Sequence, residues 1–538
     1  MTNNTFFDIS KQIANEYLQS IIFIDDEVYA AQTDQDHRLS QEEITRYFSE
    51  EEKICAVYNP KSESELSKLK SISKKADIVV LDWNIQLISI ETAEDTNDED
   101  DVEDVDPRGV HTINMIKDIL YDKNEKTNGL KVLVVYTGET GLSEHRDRIF
   151  NVINSFDSNI EKEGDFNIIG NSYKIVVISK ESTSKKHISE ELKARIISYA
   201  GLPEYVLNEF TSLTNGILSN FALKSLSEIR KNSSKLLSLF SKELDPAYLS
   251  HQALISNKED ANELLVELIK DAFGNILKYR QVNKLISDEF VKSWLHENID
   301  EKDKPILKVD GSALNKNYTR NIEFLISILN ISKGTNKEIL EEYRKLMNDK
   351  SVSSYITNNN ITFFSDLSNK KLEEINKEFA ILSHHKNLYS PMSYVPVLSL
   401  GTVVNSKRGY YVCVQQRCDS VRVMDGEERR FLFIPLTEIE EGKPFHLVTP
   451  DGINLKVDNK SYSLRTIKFS GDQDGLVKGI EIDGQFCFKQ KYQEEEDEIF
   501  NWVFDLKDLH AQRIISNYSS QLSRVGLDES EWLRRWST

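Results

Sequence analysis

Two stretches in the first hundred residues are continuous apolar runs that end in carboxylates. Residues 21–27 read Ile-Ile-Phe-Ile-Asp-Asp-Glu, and residues 78–84 read Ile-Val-Val-Leu-Asp-Trp-Asn. A short, β-branched run of this kind is typical of a strand that is buried on both faces, as in a parallel sheet. Because ligands bind beyond the carboxyl ends of such strands, we expect Asp25, Asp26 and Asp82 to converge on one pocket.

Two later runs end in groups that complete the pattern. Lys131–Tyr136 is followed by Thr137, and Lys174–Ser179 is followed by Lys180. An acidic pair, a lone Asp, a hydroxyl and a Lys, in this order, indicate a phospho-accepting site. A carboxylate can attack phosphorus as a nucleophile, Mg²⁺ held by carboxylates offsets the repulsion between the anions, and lysine adds a compact positive charge.

This set of residues resembles the receiver (CheY-like) domain of two-component response regulators, over about the first third of the chain. The resemblance implies a flavodoxin-like, doubly wound α/β fold in which Asp82 accepts the phosphoryl group. It also implies that Thr137 is the switch hydroxyl and that Lys180 binds the phosphoryl group. The implied Mg²⁺ site is formed by Asp25, Asp26, Asp82 and the backbone carbonyl of Asn84.

The sequence departs from the receiver pattern at three places. Glu181 follows the Lys where receivers usually have Pro, and Val177 and Ile178 stand where an aromatic switch residue is usual. A Gly normally follows the acceptor loop closely, whereas here the best candidate, Gly109, comes late. The acceptor and metal residues are therefore complete, and the departures fall where such domains relay their output.

Length and composition set the class of protein. A chain of 538 residues predicts about two to four domains, and 39% hydrophobic residues suffice for sizeable cores. The net charge of −21 argues against a broad surface for nucleic acid or anionic membrane, since phosphate binding relies on Lys and Arg. Four cysteines without Cys-x-x-Cys spacing give no disulfide framework. With no apolar window long enough for a membrane span, we expect a cytoplasmic protein.

The pattern along the chain predicts a receiver, an all-α domain and a small all-β barrel or sandwich. The predicted boundaries are a receiver-like domain at 1–200 with an acidic insertion near 87–108, a helical domain at 204–390, a β-rich domain at 391–495 and a C-terminal helical anchor at 496–538. The insertion contains Glu91–Asp106, which has ten Asp or Glu and no Lys or Arg. A solvated loop is the favoured interpretation, and a lid over the pocket or a nucleic-acid mimic is the alternative.

Two features of the later regions bear on function. His384 and His385 follow a predicted helix, and a packing or capping role is favoured over phosphotransfer, because no acidic partner lies beside them at helical spacing. Trp532 and Trp536 share one face of a predicted final helical turn, which favours packing on the chain's own core over binding a partner.

Three hypotheses about function follow. The first is a Mg²⁺-dependent phospho-acceptor at Asp82 that controls protein–protein docking, including dimerisation, by the helical and β-rich domains. The second is a pseudo-receiver scaffold that is never phosphorylated. Its layout weakly resembles that of receiver proteins in bacterial antiphage defence operons, which implies a GHKL or Hsp90-like ATPase partner, whereas the first implies a sensor kinase. The third is an enzyme, for which the sequence offers no triad, metal cluster or phosphate-binding Gly loop outside the receiver.

Overall fold

The computed structural model describes most of the chain outside one long central segment. The described residues are 5–28, 40–87, 108–121, 129–181, 183, 189–255, 258–298, 372–391, 393–440, 443, 445–458, 460–490 and 498–522. They fall into two compact units, one made of the described residues up to 298 and the other of those from 372 to 522.

The first unit is built on a seven-stranded sheet. Its strands are β1 (Ser20–Ile24), β2 (Ile54–Tyr58), β3 (Ile78–Leu81), β4 (Lys131–Thr137), β5 (Glu161–Glu163), β6 (Asn167–Ile169) and β7 (Tyr173–Ser179). The order is β2-β1-β3-β4-β7-β6-β5. The first five strands in this order are parallel, and β6 and β5 add an antiparallel hairpin at one edge. The parallel part has the doubly wound arrangement predicted from the sequence, whereas the hairpin was not predicted.

Helices cover both faces of this sheet. They are α1 (Phe6–Tyr17), α2 (Gln41–Glu50), α3 (Glu63–Ser73), α4 (Val110–Leu120), α5 (Leu142–Asn154) and the single turn α6 (Glu190–Lys193). Four of them begin at a hydroxyl side chain that accepts a backbone N–H of the first turn: Thr5, Ser40, Ser62 and Ser189. Such caps satisfy donors that the helix itself leaves unpaired, which is why these helices begin where they do.

The apolar spacing of Ile188, Leu192, Ile196 and Ile197 predicts a last receiver helix over His187–Tyr199, and the helix seen in the described residues, α6, is much shorter. After α6 the chain turns and runs beside β7: Ser179 N donates to Arg195 O at 3.0 Å, and Ile197 N donates to Ser179 O at 3.0 Å. The apolar spacing that predicted a helix is used instead to place Ile197 against the core.

Five helices follow in the described part of this unit, of which α7, α8 and α11 pack on the receiver. They are α7 (Leu202–Thr214), α8 (Ile217–Leu239), α9 (Asp245–Leu254), α10 (Lys258–Tyr279) and α11 (Asp288–Asn298). Leu202, Val206 and Phe210 of α7, Leu223 of α8 and Phe290 of α11 are buried in the same cluster as residues of β1, β3 and β4. This continuous core explains why the compact unit extends well past the predicted boundary at 200.

An ion pair between a buried Asp and a partly exposed Arg joins α8 to the start of the sheet. Arg230 Nη2 lies 2.9 Å from Asp77 Oδ1, and the Arg230 guanidinium lies 4.2 Å from the centre of the Tyr17 ring. The Asp77 carboxylate also accepts backbone N–H groups from Gln19 at 2.9 Å and Ser20 at 3.1 Å. Asp77, the residue just before β3, therefore has three hydrogen-bond partners, as a buried charge requires.

The second unit contains a nine-stranded antiparallel sheet. Its strands are β8 (Thr402–Ser406), β9 (Gly409–Cys413), β10 (Glu428–Ile439), β11 (Leu447–Val448), β12 (Asn454–Val457), β13 (Arg465–Ser470), β14 (Ile480–Ile482), β15 (Gln485–Gln490) and β16 (Glu498–Asp505). The order is β11-β12-β10-β9-β8-β16-β15-β14, and β13 pairs with the first half of β10. Its helices are α12 (Leu372–His384), the single turn α13 (Arg417–Ser420) and α14 (Asp508–Leu522).

The two faces of this sheet have separate cores. One face packs against Ala511, Ile514 and Tyr518 of α14. The other encloses a cluster of aromatic rings, in which the ring centre of Phe469 lies 5.7–6.3 Å from those of four other phenylalanines: Phe431, Phe433, Phe488 and Phe500. This internal cluster is what curls the sheet.

The predicted helical domain at 204–390 is not seen as a unit of its own in the described residues. Its helices up to Asn298 belong with the receiver, whereas α12 belongs with the β-rich unit, where Lys386 N donates to Asp505 O at 2.8 Å. The predicted end of the β-rich domain at 495 also needs revision, because β16 lies in the sheet between β8 and β15. Strand β16 was missed because acidic residues precede it directly.

Some predicted features lie outside the described residues: most of the acidic insertion near 87–108, residues 299–371, and Trp532 and Trp536. Among the helices of the described ranges, none is both long and apolar enough to cross a membrane.

Candidate functional site: a carboxylate and lysine cluster at the strand ends

The carboxyl ends of four neighbouring strands meet at one edge of the receiver sheet. The pairing places Ile24 of β1 beside Leu81 of β3, and Leu81 beside Val135 of β4. Hydrogen bonds continue one residue past the strands, since Asp82 N donates to Ile24 O at 2.9 Å and Lys180 N donates to Thr137 O at 2.8 Å. The predicted site residues are therefore fixed by the sheet itself.

Lys180 joins the acidic pair to the lone Asp. Its Nζ lies 2.7 Å from Asp25 Oδ2 and 2.8 Å from Asp82 Oδ1. The exposed fractions are 3% for Asp25, 9% for Asp82 and 2% for Lys180, so both contacts are shielded from water. A charge-assisted hydrogen bond in such surroundings is strong and short.

Backbone N–H groups hold the three carboxylates in place. The donor and acceptor pairs are Glu27 to Asp25 Oδ1 at 2.8 Å, Asn84 to Asp82 Oδ2 at 2.7 Å and Gln86 to Asp26 Oδ2 at 2.8 Å. In each of the first two pairs, an Asp accepts from the residue two positions later, which is the turn that Asp favours. The side chains are thus oriented before any ligand arrives.

One carboxylate oxygen of the cluster, Asp26 Oδ1, is buried and has no hydrogen-bond partner among the described residues. Such an oxygen is costly unless water or a cation satisfies it. Among the described residues, no three His, Cys, Asp or Glu side chains already stand in ligating geometry. Mg²⁺ needs only one or two carboxylates together with water and phosphate oxygens. Asp26, with its open oxygen, therefore fits as a carboxylate ligand of a Mg²⁺ site in which water and phosphate oxygens supply most of the shell.

The charges at this edge do not balance. Within the described residues of this edge, the four carboxylates of Asp25, Asp26, Glu27 and Asp82 lie near the ammonium of Lys180. Burial raises the pKa of Asp25 to about 6, against the opposing effect of Lys180, and burial likewise raises the pKa of Glu27 to about 7. Burial opposes the charged form of Lys180, but Asp82 and Asp25 outweigh it and raise the pKa of Lys180. The excess of negative charge calls for a further cation.

Thr137 ends β4 next to this cluster. Its side chain is buried, and its hydroxyl oxygen accepts the backbone N–H of Glu139 at 3.2 Å. The next strand contributes in the same place, because Ser179 Oγ donates to the carbonyl of Glu139 at 3.3 Å. The hydroxyl proposed as the switch is thus tied to the loop between β4 and α5.

The start of α4 is attached to the loop of Asp82, although the chain between them is long. Thr112 Oγ1 donates to the carbonyls of Asp82 at 2.7 Å and Trp83 at 3.0 Å. Gly109, with a φ of +80°, lies so close to the Trp83 indole that a Cβ there would come within 2.3 Å of Cζ2. The late glycine is therefore adjacent to the acceptor loop in space.

A second set of contacts surrounds the Trp83 ring, which is fully buried. The His145 imidazole stacks on it with ring centres 4.2 Å apart, and the Arg148 guanidinium lies 5.1 Å from the ring centre. His145 Nε2 lies 3.1 Å from Glu139 Oε2. Through Glu139, this set connects Trp83, next to the acceptor, with the loop that holds Thr137.

Sequence reasoning located Asp25, Asp26, Asp82, Asn84, Thr137 and Lys180, and the structure places all six at this edge. It did not assign Glu27, although a third carboxylate directly after the acidic pair was a usable signal. Thr112 and His145 carry no such signal, because their distance along the chain from Asp82 hides their proximity.

Comparison with known families gives one match. The family model described as the response receiver domain matches residues 17–185. Residues 17–185 form a receiver domain. The match stops before α7, so the helices that complete this receiver's core lie outside the part that the family describes. The comparison with curated proteins finds no match.

The histidines at 384 and 385 lie in the other unit and are packed. His385 stacks on Phe504 with ring centres 4.0 Å apart, and its Nε2 lies 2.8 Å from Val448 O. His384 stacks on His510 with ring centres 3.8 Å apart. Burial lowers the pKa of both, which agrees with the packing role favoured from the sequence.

Proposed function

We propose that this protein is a response-regulator-like signalling protein whose receiver domain accepts a phosphoryl group on Asp82 with the help of Mg²⁺. The observation that carries the proposal is the buried cluster itself. A nucleophilic carboxylate lies 2.8 Å from the Lys180 ammonium and close to an acidic pair with an unsatisfied oxygen. The match to the receiver family supports the same assignment.

The chemistry follows from the positions of these groups. An oxygen of Asp82 forms a bond to the phosphorus of a small phosphodonor, and the bond from phosphorus to the donor's leaving oxygen breaks. The products are an acyl phosphate on Asp82 and, from acetyl phosphate, acetate. Bound Mg²⁺ would neutralise charge on the transferring group, with Asp25, Asp26, Asp82 and the carbonyl of Asn84 as its protein ligands.

Lys180 has a role before and after the transfer. In the structure its ammonium is shared between Asp25 and Asp82. Once Asp82 carries a phosphoryl group, the same ammonium can donate to a phosphoryl oxygen in a charge-assisted hydrogen bond. The Thr137 hydroxyl can donate to another such oxygen, which would move the loop that it now holds through Glu139.

Phosphorylation would then control docking to a protein partner. Helices α7, α8 and α11 share the receiver's core, so a change at the strand ends has a packed route to a surface larger than that of the receiver alone. The partner expected for this function is a sensor kinase together with an output protein. The cytoplasm is the expected compartment.

The direct test is incubation of the full chain with acetyl phosphate and Mg²⁺, followed by intact mass spectrometry. We expect one added phosphoryl group on the wild type and none on Asp82→Asn, which keeps the shape and removes the nucleophile. Asp165→Asn is the matched control, because Asp165 is an exposed Asp in the turn of the β5–β6 hairpin. Label on Asp82→Asn would place the acceptor elsewhere.

The second candidate is a scaffold that is never phosphorylated. One observation favours it: both oxygens of Asp82 are already engaged, Oδ1 by Lys180 and Oδ2 by the N–H of Asn84. On this view the partner is the ATPase of a defence complex. Wild-type chain that stays unlabelled with acetyl phosphate and Mg²⁺, but still binds its partner, would favour the scaffold.

The metal has a separate test. Isothermal titration with Mg²⁺ should show binding to the wild type and its loss in Asp26→Asn, which removes the charge next to the unsatisfied oxygen. Titration curves that are the same for both proteins would exclude Asp26 as a ligand. This test does not depend on phosphorylation.

A further inference from the structure

The helices α8, α9 and α10 and the turns after them carry much of the exposed apolar surface of the first unit. Among the described residues, 15 of the 28 large apolar and aromatic side chains that are exposed lie between Leu218 and Ile286, although this stretch is a small part of the described chain. A concentration of exposed apolar side chains on a folded protein marks a site of interaction.

Helix α10 buries little of its apolar face. Its leucines at three- and four-residue spacing, Leu264, Leu265 and Leu268, are 41%, 36% and 46% exposed. Of the described side chains of α10, only Ala261 is buried, and in α9 none is. Helices in folded proteins are stabilised mainly by the packing of an apolar face, so the face of α10 calls for a further packing surface.

Neighbouring helices hold α10 near both of its ends. After its last turn, Arg280 Nη2 donates to Asn232 Oδ1 of α8 at 3.1 Å, and Arg280 Nε lies 3.8 Å from Glu228 Oε2. In its first turns, Asn262 Oδ1 accepts the hydroxyl of Tyr248 of α9 at 2.7 Å. The exposed leucines lie between these two attachments. The helix is therefore already in position, with its apolar side chains accessible, before a partner binds.

The charges beside these leucines have opposite signs on the two neighbouring helices. Lys235 of α8 and Lys242 of the turn after it are exposed, and so are Glu263 and Asp271 of α10. A partner surface of one sign would meet like charges on one of the two helices. A two-fold axis brings the same patch of two copies together, so a second copy can set its acidic α10 against the basic end of α8.

We propose that the protein forms a two-fold dimer through this surface, which we call the dimer face. The leucines of α10 pack between the two copies, and the acidic residues of each α10 pair with the lysines at the end of the other copy's α8. This dimer needs neither Asp82 nor Mg²⁺, so it stands independently of the proposed function. The residues of the dimer face are Leu264, Leu265, Leu268, Lys235, Lys242, Glu263 and Asp271.

The first test is sedimentation equilibrium of the full chain in EDTA at increasing concentration. We expect the mass to rise from the 62.0 kDa of one chain to twice that value. A mass that stays at one chain would mean that the face is covered within the chain or by a different protein, and would overturn the proposal.

A charge in the middle of the face should break the dimer. Leu268→Asp would bury an unpaired carboxylate twice in each dimer, so it should weaken dimerisation about a hundredfold or more. Leu509→Asp, at a leucine of α14 that is 79% exposed, is the matched control and should leave the dissociation constant unchanged. Equal dissociation constants for the two variants would contradict the proposal.

Charge reversal shows whether the pairing is between copies. One protein carries Lys235→Glu and Lys242→Glu, and a second carries Glu263→Lys and Asp271→Lys. Each alone sets like charges against each other across the two-fold axis, so each should dimerise about tenfold more weakly than the wild type. Mixed together, the two proteins restore opposite charges at every pair. Energy transfer between labelled chains should then show mixed dimers at least as tight as the wild type. Mixed dimers as weak as those of each variant alone would exclude pairing between copies.

A matched control separates local contact from net charge. Lys75→Glu with Lys407→Glu changes the net charge by the same amount at two exposed lysines elsewhere, and it should dimerise like the wild type. Equal weakening in this control would mean that net charge alone is responsible, and the dimer face would be wrong. Hydrogen exchange locates the contact: the amides of α10 should exchange more slowly in the wild-type dimer than in Leu268→Asp. Slower exchange confined to other elements would place the interface elsewhere and overturn the proposal.

Discussion

The two sheets of this protein place their chemistry differently. In the receiver, β1, β3, β4 and β7 are parallel, so the residues that follow each strand arrive at the same edge. In the second unit the strands are antiparallel, so successive strand ends alternate between opposite edges. A cavity of about 190 Å³ at one opening of this sheet is lined by the last residue of β15 (Gln490), the first of β13 (Arg465) and of β16, and Arg408 from the turn between β8 and β9.

The difference explains which site can be found in the sequence. At a parallel edge, every polar residue directly after an apolar run is a candidate for one shared pocket, without knowledge of strand order. At the opening of an antiparallel sheet, which residues come together depends on strand pairing and on the curvature of the sheet. The sequence around Gln490 or Arg465 indicates neither. The two sheets also differ in where their core residues come from. The second sheet encloses aromatic side chains of its own strands, whereas the core of the receiver includes residues from helices later in the chain.

The largest effect should come from the aromatic core of the second sheet. Phe469→Ala removes a ring that contacts four others and is 2% exposed, so it should lower the free energy of unfolding of this unit by about 4 kcal/mol. Hydrogen exchange of β10 and β15 measures the loss. Tyr462→Ala, at an 80% exposed aromatic, is the control and should change it little. Equal losses of protection in Phe469→Ala and Tyr462→Ala would mean that the enclosed rings do not stabilise the sheet.

A similar loss in the receiver should follow from a residue outside its family boundary. Phe210 of α7 is 1% exposed and packs with Tyr17 and the sheet, so Phe210→Ala should cost about 3–4 kcal/mol. Faster hydrogen exchange in β4 would register it. Phe273→Ala on α10, where the side chain is 36% exposed, should cost far less. Unchanged exchange in β4 after Phe210→Ala would restore the predicted boundary near 200.

The buried lysines at the two edges of the receiver sheet give the next comparison. Lys180→Met leaves Asp25 and Asp82 buried without their cation, which should cost about 3 kcal/mol. Lys131 lies at the opposite edge and donates to the carbonyls of Lys74 and Ala76, which are neutral. Lys131→Met should therefore cost about 1 kcal/mol. Urea titration gives both values, and a ranking in the other order would contradict the charge balance described here.

The smallest of these effects tests the contact between Gly109 and Trp83. Gly109→Ala meets both the positive φ and the indole, so we expect a loss of about 2–3 kcal/mol. Gly164→Ala has a φ of +61° but no atom within 4 Å of the added Cβ, and should lose about 1 kcal/mol for the backbone alone. Urea denaturation gives the difference. If the two losses are equal, the indole moves aside and does not set the position of Gly109.

The sequence predicted the structure best where the spacing of apolar residues and the order of residues along the chain are sufficient information. The apolar runs of β1, β3, β4 and β7 and the polar residues after them gave the parallel sheet and its site. The β5–β6 hairpin was missed because its strands are three residues each. The helical region was assigned to a separate domain because an amphipathic stripe, such as that of α7, shows that a helix is buried but not against what.

Thr112 and Gly109 hold the chain that follows the insertion against the loop of Asp82. Thr112 does so by hydrogen bonds to two carbonyls of that loop, and Gly109 by its close contact with the indole of Trp83. The acceptor geometry is therefore set by residues on each side of the insertion, and the number of residues between them is free to vary at little entropic cost. At this point of the receiver, residues can be added or exchanged, during evolution or by an engineer, without changing the cluster of carboxylates and Lys180 at the strand ends.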